Sequence, residues 1–520
     1  MRERSWWGWG WTDQAVEGRE LAELRAQVGA FLPLSGEVLP VPPVPALAPP
    51  RLAPPPGVDA RADDAPRAAH THGKAYRDVI RNLRGELTHP PDFVWYPRDV
   101  AAIERAMEFA ARNGAALIPY GGGTSVVGGV EYRGADRPVI ALDMSRMDAT
   151  LEVDPTSLAV RVQGGILGPA LEDRLRPYGL TLRHFPQSFE FSTVGGWLAT
   201  RAGGHFATGD TRIDDLVESI QIVTPSGVAE SERVPSSGAG PAPDRLWLGS
   251  EGALGVITSA WLRVRRRPTF KLGAAASFSS YQDGVLATRE IVQSGLQPAN
   301  CRLLDPLESM LGAGGVDGAS RLILGFESAD HPVDHALARA LEICRDHGGV
   351  VDEEATMRAA AGGPDADPTT GGTTAGRWRE TFLRAPYLRD GLARLGVIVE
   401  TFETSCTWSS FEQLHAAVID AVAPAVATCR FTHVYPDGPA PYFTVYASGR
   451  PGGEVEQWDA IKARGSQAVL DNGGTITHHH AVGRDHAPWY RPSPVHQSAL
   501  RAVKHTLDPH RILNPGVLAL

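Results

Sequence analysis

Between residues 119 and 129 the chain reads PYGGGTSVVGG, directly after the apolar run Ala115-Ala116-Leu117-Ile118. A strand feeding a glycine-rich turn lets backbone N–H groups close on an anion, because no Cβ stands in the way. Gly121, Gly122 and Gly123 offer such donors, and Thr124 and Ser125 add hydroxyls. No Gly-Lys-Ser/Thr follows, so this is not a Walker loop. Val126-Val127-Gly128-Gly129 also argues against the helix that a dinucleotide-fold GxGxxG opens. Alone, the run describes a plain turn equally well. Two further glycine-rich blocks, STVGGWLATRAGG (192–204) and GSEGALGVIT (249–258), also sit at strand ends. Three such blocks point to backbone wrapped around a large cofactor bearing a pyrophosphate.

Other reactive side chains lie further along. GGTITHHHAVG carries His478, His479 and His480; CRLLD carries Arg302; YLRD carries Arg389; PYFTVYAS carries Tyr442. In a regular strand His478 and His480 would share a face and His479 would point away, so the three could not meet one atom. Two imidazoles without a nearby carboxylate make a thin ligand set, and no metal is expected. A guanidinium in an apolar strand suits phosphate, but ion pairs of Arg302 with Asp305 and Arg389 with Asp390 are equally open. A strand aromatic such as Tyr442 is by default core packing. The basic run Arg263, Arg265, Arg266 and Arg267 reads as a solvated strand end.

The elements that must position these residues fall into four stretches. At 520 residues the chain exceeds one core, and a formal charge of −10 argues against a nucleic-acid partner. Residues 1–86 hold four tryptophans between Trp6 and Trp11, a helical stretch and a proline-dense run that reads as an extended wrap. The tryptophans read as a segment pinned onto a domain surface, with a membrane interface the lesser alternative. Residues 87–268 alternate short strands with helices, including the amphipathic VAAIERAMEFAARNG. Residues 269–450 have an α+β texture, with a mobile loop expected at 356–376. Residues 451–520 carry two helices, the histidine run and DPHRILNPGVL. The scattered cysteines Cys301, Cys344, Cys406 and Cys429 read as reduced thiols; with no signal peptide or apolar span apparent, a cytoplasmic protein is expected.

The run PDFVWYPRD…PYGGGTSVVGG…FSTVGGWLATRAGG…DDLVESIQIVTPSG…EGALGVIT…DPHRILNPG resembles the vanillyl-alcohol-oxidase-type flavoproteins. WWGWGW, PQSFEFSTVGGWLATRAGG, CRLLD, YLRD, ETFETSCTW, THVY–PYF and THHHAVG are similar, more narrowly, to the alkyldihydroxyacetonephosphate synthase group. The resemblance implies an α+β fold: a two-subdomain PCMH-type FAD-binding domain, an α+β cap with an antiparallel sheet, and a C-terminal segment returning to the FAD domain. Carried over residue by residue, FAD contacts would be Pro119, Tyr120, Gly121, Gly122, Gly123, Thr124 and Ser125, then Gln187, Ser188, Phe189, Glu190, Phe191, Ser192 and Thr193. Thr200, Arg201, Ala202 and Gly203 follow, with Glu251, Gly252, Ala253, Leu254, Gly255, Val256 and Ile257. Thr124 stands where covalent members can carry a histidine, so FAD is expected to be non-covalent.

In that group the reaction is redox-neutral. The acyl group of acyl-dihydroxyacetone phosphate is exchanged for a long-chain alcohol through a flavin–substrate adduct. The resemblance makes Tyr442 the proton-moving tyrosine, His478, His479 and His480 the assisting histidines, and Arg302 and Arg389 the phosphate holders. The alternative is an FAD-dependent dehydrogenase or oxidase of a 2-hydroxy acid or alcohol. Such members carry SGEHGIG and HxGDGNLH where this chain has THHHAVG and HVYPDGPAPY, which counts against it. The sequence also departs from the group at Gly203-Gly204-His205. A lipid-like or hydroxy-acid substrate, a homodimer and a peripheral membrane contact complete the expectations.

Overall fold

The computed structural model describes every residue except 1, 35, 135, 314–316 and 352–373, and no side chains at 312, 313 or 374–383. β1 (Ala60–Arg61), β2 (Phe93–Trp95), β3 (Ala116–Tyr120) and β4 (Val139–Asp143) form a sheet in the order β1-β2-β4-β3, parallel from β2 to β3. A parallel strand buried on both faces needs an unbroken apolar run, and β4 buries all of Val139–Asp143. Between β2 and β3, the helix Val100–Arg112 is started by Asp99, whose side chain accepts from Ala102 N at 2.7 Å. Its apolar residues recur at three- and four-residue spacing, burying Ile103, Ala106, Met107 and Ala110 against Phe93, Leu117 and Ile140.

Ile512 and Leu513 join that core from the far end of the chain. Leu117 N donates to Ile512 O (2.8 Å) and Asn514 N to Leu117 O (3.0 Å), so the tail runs parallel beside β3. The C-terminal segment therefore completes the domain that carries the first glycine loop.

β5 (Thr150–Asp154), β6 (Ala159–Gln163), β7 (Leu180–Thr181), β8 (Val217–Thr224), β9 (Gly227–Glu230), β10 (Val256–Arg263) and β11 (Arg265–Arg266) follow. Five make an antiparallel sheet, β5-β6-β10-β8-β9, while β7 pairs with β11. The helix Val194–Thr200 packs Trp197 and Leu198 into the core of that sheet.

A seven-stranded antiparallel sheet comes next: β12 (Phe270–Phe278), β13 (Asn300–Leu304), β14 (Ser320–Ser328), β15 (Val350–Val351), β16 (Val397–Glu403), β17 (Val426–Val434) and β18 (Pro439–Ser448). Its order is β15-β12-β14-β13-β17-β18-β16. Cys301, Leu303, Cys429, Phe431, Phe443 and Val445 face a shared core with Phe411 and Leu414 of the helix Trp408–Val422. Strand alternation sends their neighbours the other way. The fold is thus α+β, an FAD-domain-like half followed by a sheet-based cap.

The N-terminal tryptophans belong to the cap core. Trp7 and Trp9 are buried with Leu392 and Leu395, and Trp11 N donates to Tyr387 Oη at 3.1 Å. The proline-rich run meets the end of the helix Thr374–Arg394, with Leu39 N donating to Arg394 O at 2.8 Å. The loop expected at 356–376 lies, up to residue 373, outside the described residues; the helix Thr374–Arg394 begins immediately after.

Candidate active site

One cavity of about 450 Å³ lies between the two halves. Its first wall is backbone. Pro119 through Ser125 line it throughout, joined by Gln187, Ser188, Ser192, Thr193, Thr200, Ala202, Gly203, Glu251, Gly252, Gly255, Val256 and Ile257. The glycine loop crosses the 191–193 segment so closely that a Cβ on Gly122 would stand 1.6 Å from Phe191 O. Only glycine permits that crossing. The donors around it are amides and the hydroxyls of Thr124, Ser125, Ser188, Thr193 and Thr200, a neutral set suited to a pyrophosphate and a flavin ring. The residues present fit FAD.

Six residues expected to touch FAD do not line this cavity. Phe189 stacks near Trp197, and Phe191 meets Trp9 and Trp11 edge-on. Glu190 accepts from Trp11 Nε1 at 2.5 Å. Arg201 pairs with Asp214 at 2.6 Å. Ala253 and Leu254 are fully buried, Leu254 in the core of the β5–β10 sheet. Ring packing takes Phe189 and Phe191, a hydrogen bond takes Glu190, an ion pair takes Arg201, and burial takes Ala253 and Leu254, leaving the neighbouring residues to face the cavity. Glu251 does line it, but its carboxylate accepts from Val482 N (2.9 Å) and Gly483 N (2.7 Å). Burial pushes that carboxyl up to about 7. Asn514, which also lines the cavity, donates to Gly129 O (2.9 Å) and Glu251 O (2.7 Å) and so ties the tail to both loops.

The opposite wall is built from cap side chains. Arg302 on β13, Arg430 and Thr432 on β17, and Tyr442, Thr444 and Tyr446 on β18 all reach the cavity, each one residue from a core-facing neighbour. Register then assembles the row: Glu403 pairs with Tyr442 and Tyr442 with Arg430 across β16, β18 and β17. The Arg430 guanidinium lies 4.0 Å from the Tyr442 ring centroid. Burial raises the Tyr442 phenol above its ordinary value, although Arg430 pulls the other way, so near neutrality it holds its proton.

The histidine run is not a strand. Residues 478–480 form a bend that folds over the buried Glu403 carboxylate, which accepts backbone N–H bonds from His478 (2.5 Å), His479 (2.9 Å) and His480 (2.8 Å). Three successive amides converging on one carboxylate require turn geometry, which overturns the alternation expected from an extended segment. His479 and His480 therefore line the cavity together, while His478 sits behind them. Their rings lie 6.4 and 5.6 Å from that of Tyr442. Burial holds the His478 and His480 imidazoles down at about 3 although the Glu403 carboxylate pulls the other way, so they are neutral. Burial opposes charge on Glu403, yet the surrounding imidazoles and amide donors keep its carboxyl well below the usual range.

Glu403 also supplies the carboxylate absent from the sequence-level metal argument. Ligand atoms of Glu403, His479 and His480 lie within 4.8 Å of one another, as do those of His433, His478 and His479. Sequence reasoning missed Glu403, His433 and Arg430. An acidic residue in the apolar strand VIVETFE was the available signal for the first.

The arginines divide. Arg302 is 1% exposed and donates to His205 O at 2.5 Å. Asp305 accepts from Glu308 N and Cys429 N. Burial, then Arg430, lowers the Arg302 guanidinium to about 9, an environment that favours an arriving anion. Arg430 is paired with Glu308 at 2.6 Å. Arg389 lines the cavity but is engaged, with Asp390 at 3.0 Å and Lys74 O at 2.6 Å. An apolar part of the lining comes from Trp9, Leu24, Val28 and Phe31 of the N-terminal region together with Leu388 and Leu392, with Gln27 beside them.

Residues 91–231 match the FAD binding domain family, and 267–518 match the C-terminal domain of FAD linked oxidases. The alkyldihydroxyacetonephosphate synthase of Dictyostelium discoideum is 30% identical over 88% of this chain and 78% of its own. A solved structure of an alkyldihydroxyacetonephosphate synthase superposes with a TM-score of 0.81 at 26% identity, covering 98% of both chains. The glycolate oxidase subunit GlcD of Bacillus subtilis is 25% identical over 82% of this chain and 88% of its own.

Proposed function

The chain belongs to the FAD-linked oxidase family of the PCMH type, and from that premise we propose that it exchanges the acyl group of an acylated dihydroxyacetone phosphate for a long-chain alcohol. One observation carries the reading. A single cavity joins a glycine cradle, a tyrosine–histidine wall, buried arginines and an apolar lining, which is what a phosphorylated ketone bearing a fatty chain requires. FAD, held non-covalently by Pro119–Ser125 and the facing loops, supplies an electron-accepting ring system to that cavity.

The side chains divide the remaining work. Arg302, with Arg430 beside it, binds the phosphate, and Arg389 is a secondary contact because Asp390 already engages it. Trp9, Leu24, Val28, Phe31, Leu388 and Leu392 hold the alkyl chain and exclude water. Tyr442 first gives its proton to His479, and the phenolate, eased by its proximity to Arg430, then takes a proton at the reacting carbon and returns it. His479, its amide fixed on Glu403, accepts the proton that Tyr442 or the alcohol gives up, and His480, held neutral, packs its ring edge-on against Tyr442.

A second reading, oxidation of a 2-hydroxy acid, is favoured by the His433–His478–His479 and Glu403–His479–His480 groupings, which could hold a cation against a carboxylate substrate. Anaerobic mixing with palmitoyl-dihydroxyacetone phosphate alone tests the first: palmitate release with a change in flavin colour supports it. No release, with bleaching by a 2-hydroxy acid instead, supports the second.

A further inference from the structure

Exchange of a carboxylate ester for an ether breaks one C–O bond and forms another with no net transfer of electrons. The fatty acid released is ionised near neutrality, its pKa being about 4 to 5. Each turnover therefore releases one proton in the cavity, and that proton needs an acceptor.

The structure contains a continuous hydrogen-bonded path leading away from the cavity. His479 lines the cavity, and its Nδ1 lies 3.0 Å from Nδ1 of His478. The other His478 nitrogen, Nε2, lies 2.8 Å from Tyr435 Oη. Tyr435 Oη is in turn 2.9 Å from Thr211 Oγ1. His478 and Thr211 are buried, whereas Tyr435, bonded to both, is partly exposed. The imidazole of His478 is thus bonded through both ring nitrogens, one toward the cavity-lining His479 and one toward the partly exposed Tyr435. Arg212 fixes it from behind by donating to His478 O at 2.7 Å, and Trp408 Nε1 donates to Tyr435 O at 3.0 Å.

We propose that His478 and Tyr435 relay a proton from His479 to the protein surface, which makes Tyr435 a relay residue outside the cavity. The proposal rests on the exchange reading above. The step balances as a shift of protons along fixed bonds. A proton taken up at His479 Nε2 is matched by release from His479 Nδ1 to His478 Nδ1. His478 then gives its Nε2 proton to Tyr435 Oη, and the partly exposed phenol gives its own to solvent. Each group ends neutral, carrying one proton as before, and one proton has left. No oxidant or cofactor takes part.

A structural alternative is that these bonds only pin the histidine bend. Tyr435→Phe separates the two, since phenylalanine keeps the ring and loses only the hydroxyl. With flavin content and melting temperature matched to wild type, turnover of acyl substrate and alcohol is measured over a range of imidazole buffer concentrations. The relay requires turnover to fall by about tenfold or more at low buffer and to recover as imidazole rises, while wild type is insensitive to buffer. Thr211→Val should show a smaller loss with the same buffer dependence. Undiminished turnover in Tyr435→Phe overturns the relay, and so does a loss that imidazole does not restore, which would mark a structural role. A wild type that performs no exchange fails on its own account: it removes the proposed function and, with it, the proton to be relayed. An active wild type with an unaffected variant removes the relay alone.

Discussion

The two walls of the cavity recognise by different means. The FAD-side wall works through backbone, with amides exposed where Cβ atoms are missing, and its parts are contiguous runs such as 119–125. The cap wall works through side chains, and its row Glu403–Tyr442–Arg430 comes from three strands placed side by side by antiparallel register. The first tolerates changes of side-chain chemistry and fails on added volume. The second tolerates volume and fails on the loss of a single functional atom.

The contrast breaks most sharply at Gly122. Gly122→Val places carbon against Phe191 O and should give colourless protein with stability lowered by about 1–3 kcal/mol, read from flavin absorbance and thermal melting. A yellow, fully stable variant would show that the crossing is not tight. Tyr442→Phe should do the reverse, keeping flavin while turnover drops by about 10²- to 10⁴-fold. Undiminished turnover would return Tyr442 to packing.

Arg302→Lys should raise KM for the phosphorylated substrate by about tenfold, because an ammonium cannot reproduce the bidentate fork. Arg389→Lys should change KM less and instead lower the melting temperature, since its bonds run to Asp390 and Lys74 O. The opposite ranking would reassign the phosphate site. A separate effect is in pH dependence. The folded-state values of His478 and His480 are depressed to about 3, against about 6.5 in an unfolded chain. Unfolded chain therefore binds protons that the fold refuses. Their contribution is complete above about pH 6.5 and is lost as pH falls toward 3, by at most about 1.4 kcal/mol per pH unit for each histidine. His480→Gln should flatten that acid limb of the melting profile; an unchanged slope would mean that His480 titrates freely.

The same contrast governs what the sequence disclosed. The glycine loop was legible because its function is local: a strand end, three glycines and two hydroxyls are consecutive. The α+β class followed from element order and from motifs carried by resemblance. Within the FAD-side segments, residue-level contacts were less legible, since Phe189 and Phe191 turn toward Trp197 and the N-terminal tryptophans instead of the cavity. That depends on a strap nearly two hundred residues away in sequence. On the cap side, Tyr442 and Arg302 could be named by motif, but Arg430 and Glu403 needed the register of β16, β17 and β18. The histidine run misled because alternation assumes a strand, and a buried carboxylate from another strand bent it instead. His205, noted as a departure from the group pattern, proves to be the residue whose carbonyl anchors Arg302.

The most direct test of the central claim is acceptor dependence. Flavin-loaded protein is incubated anaerobically with palmitoyl-dihydroxyacetone phosphate and hexadecanol, with and without an electron acceptor, and ether product and palmitate are quantified. A redox-neutral exchange in this cavity requires equal amounts of the two products and no effect of the acceptor. No ether product, together with acceptor-dependent oxidation of a 2-hydroxy acid by the same preparation, would contradict it.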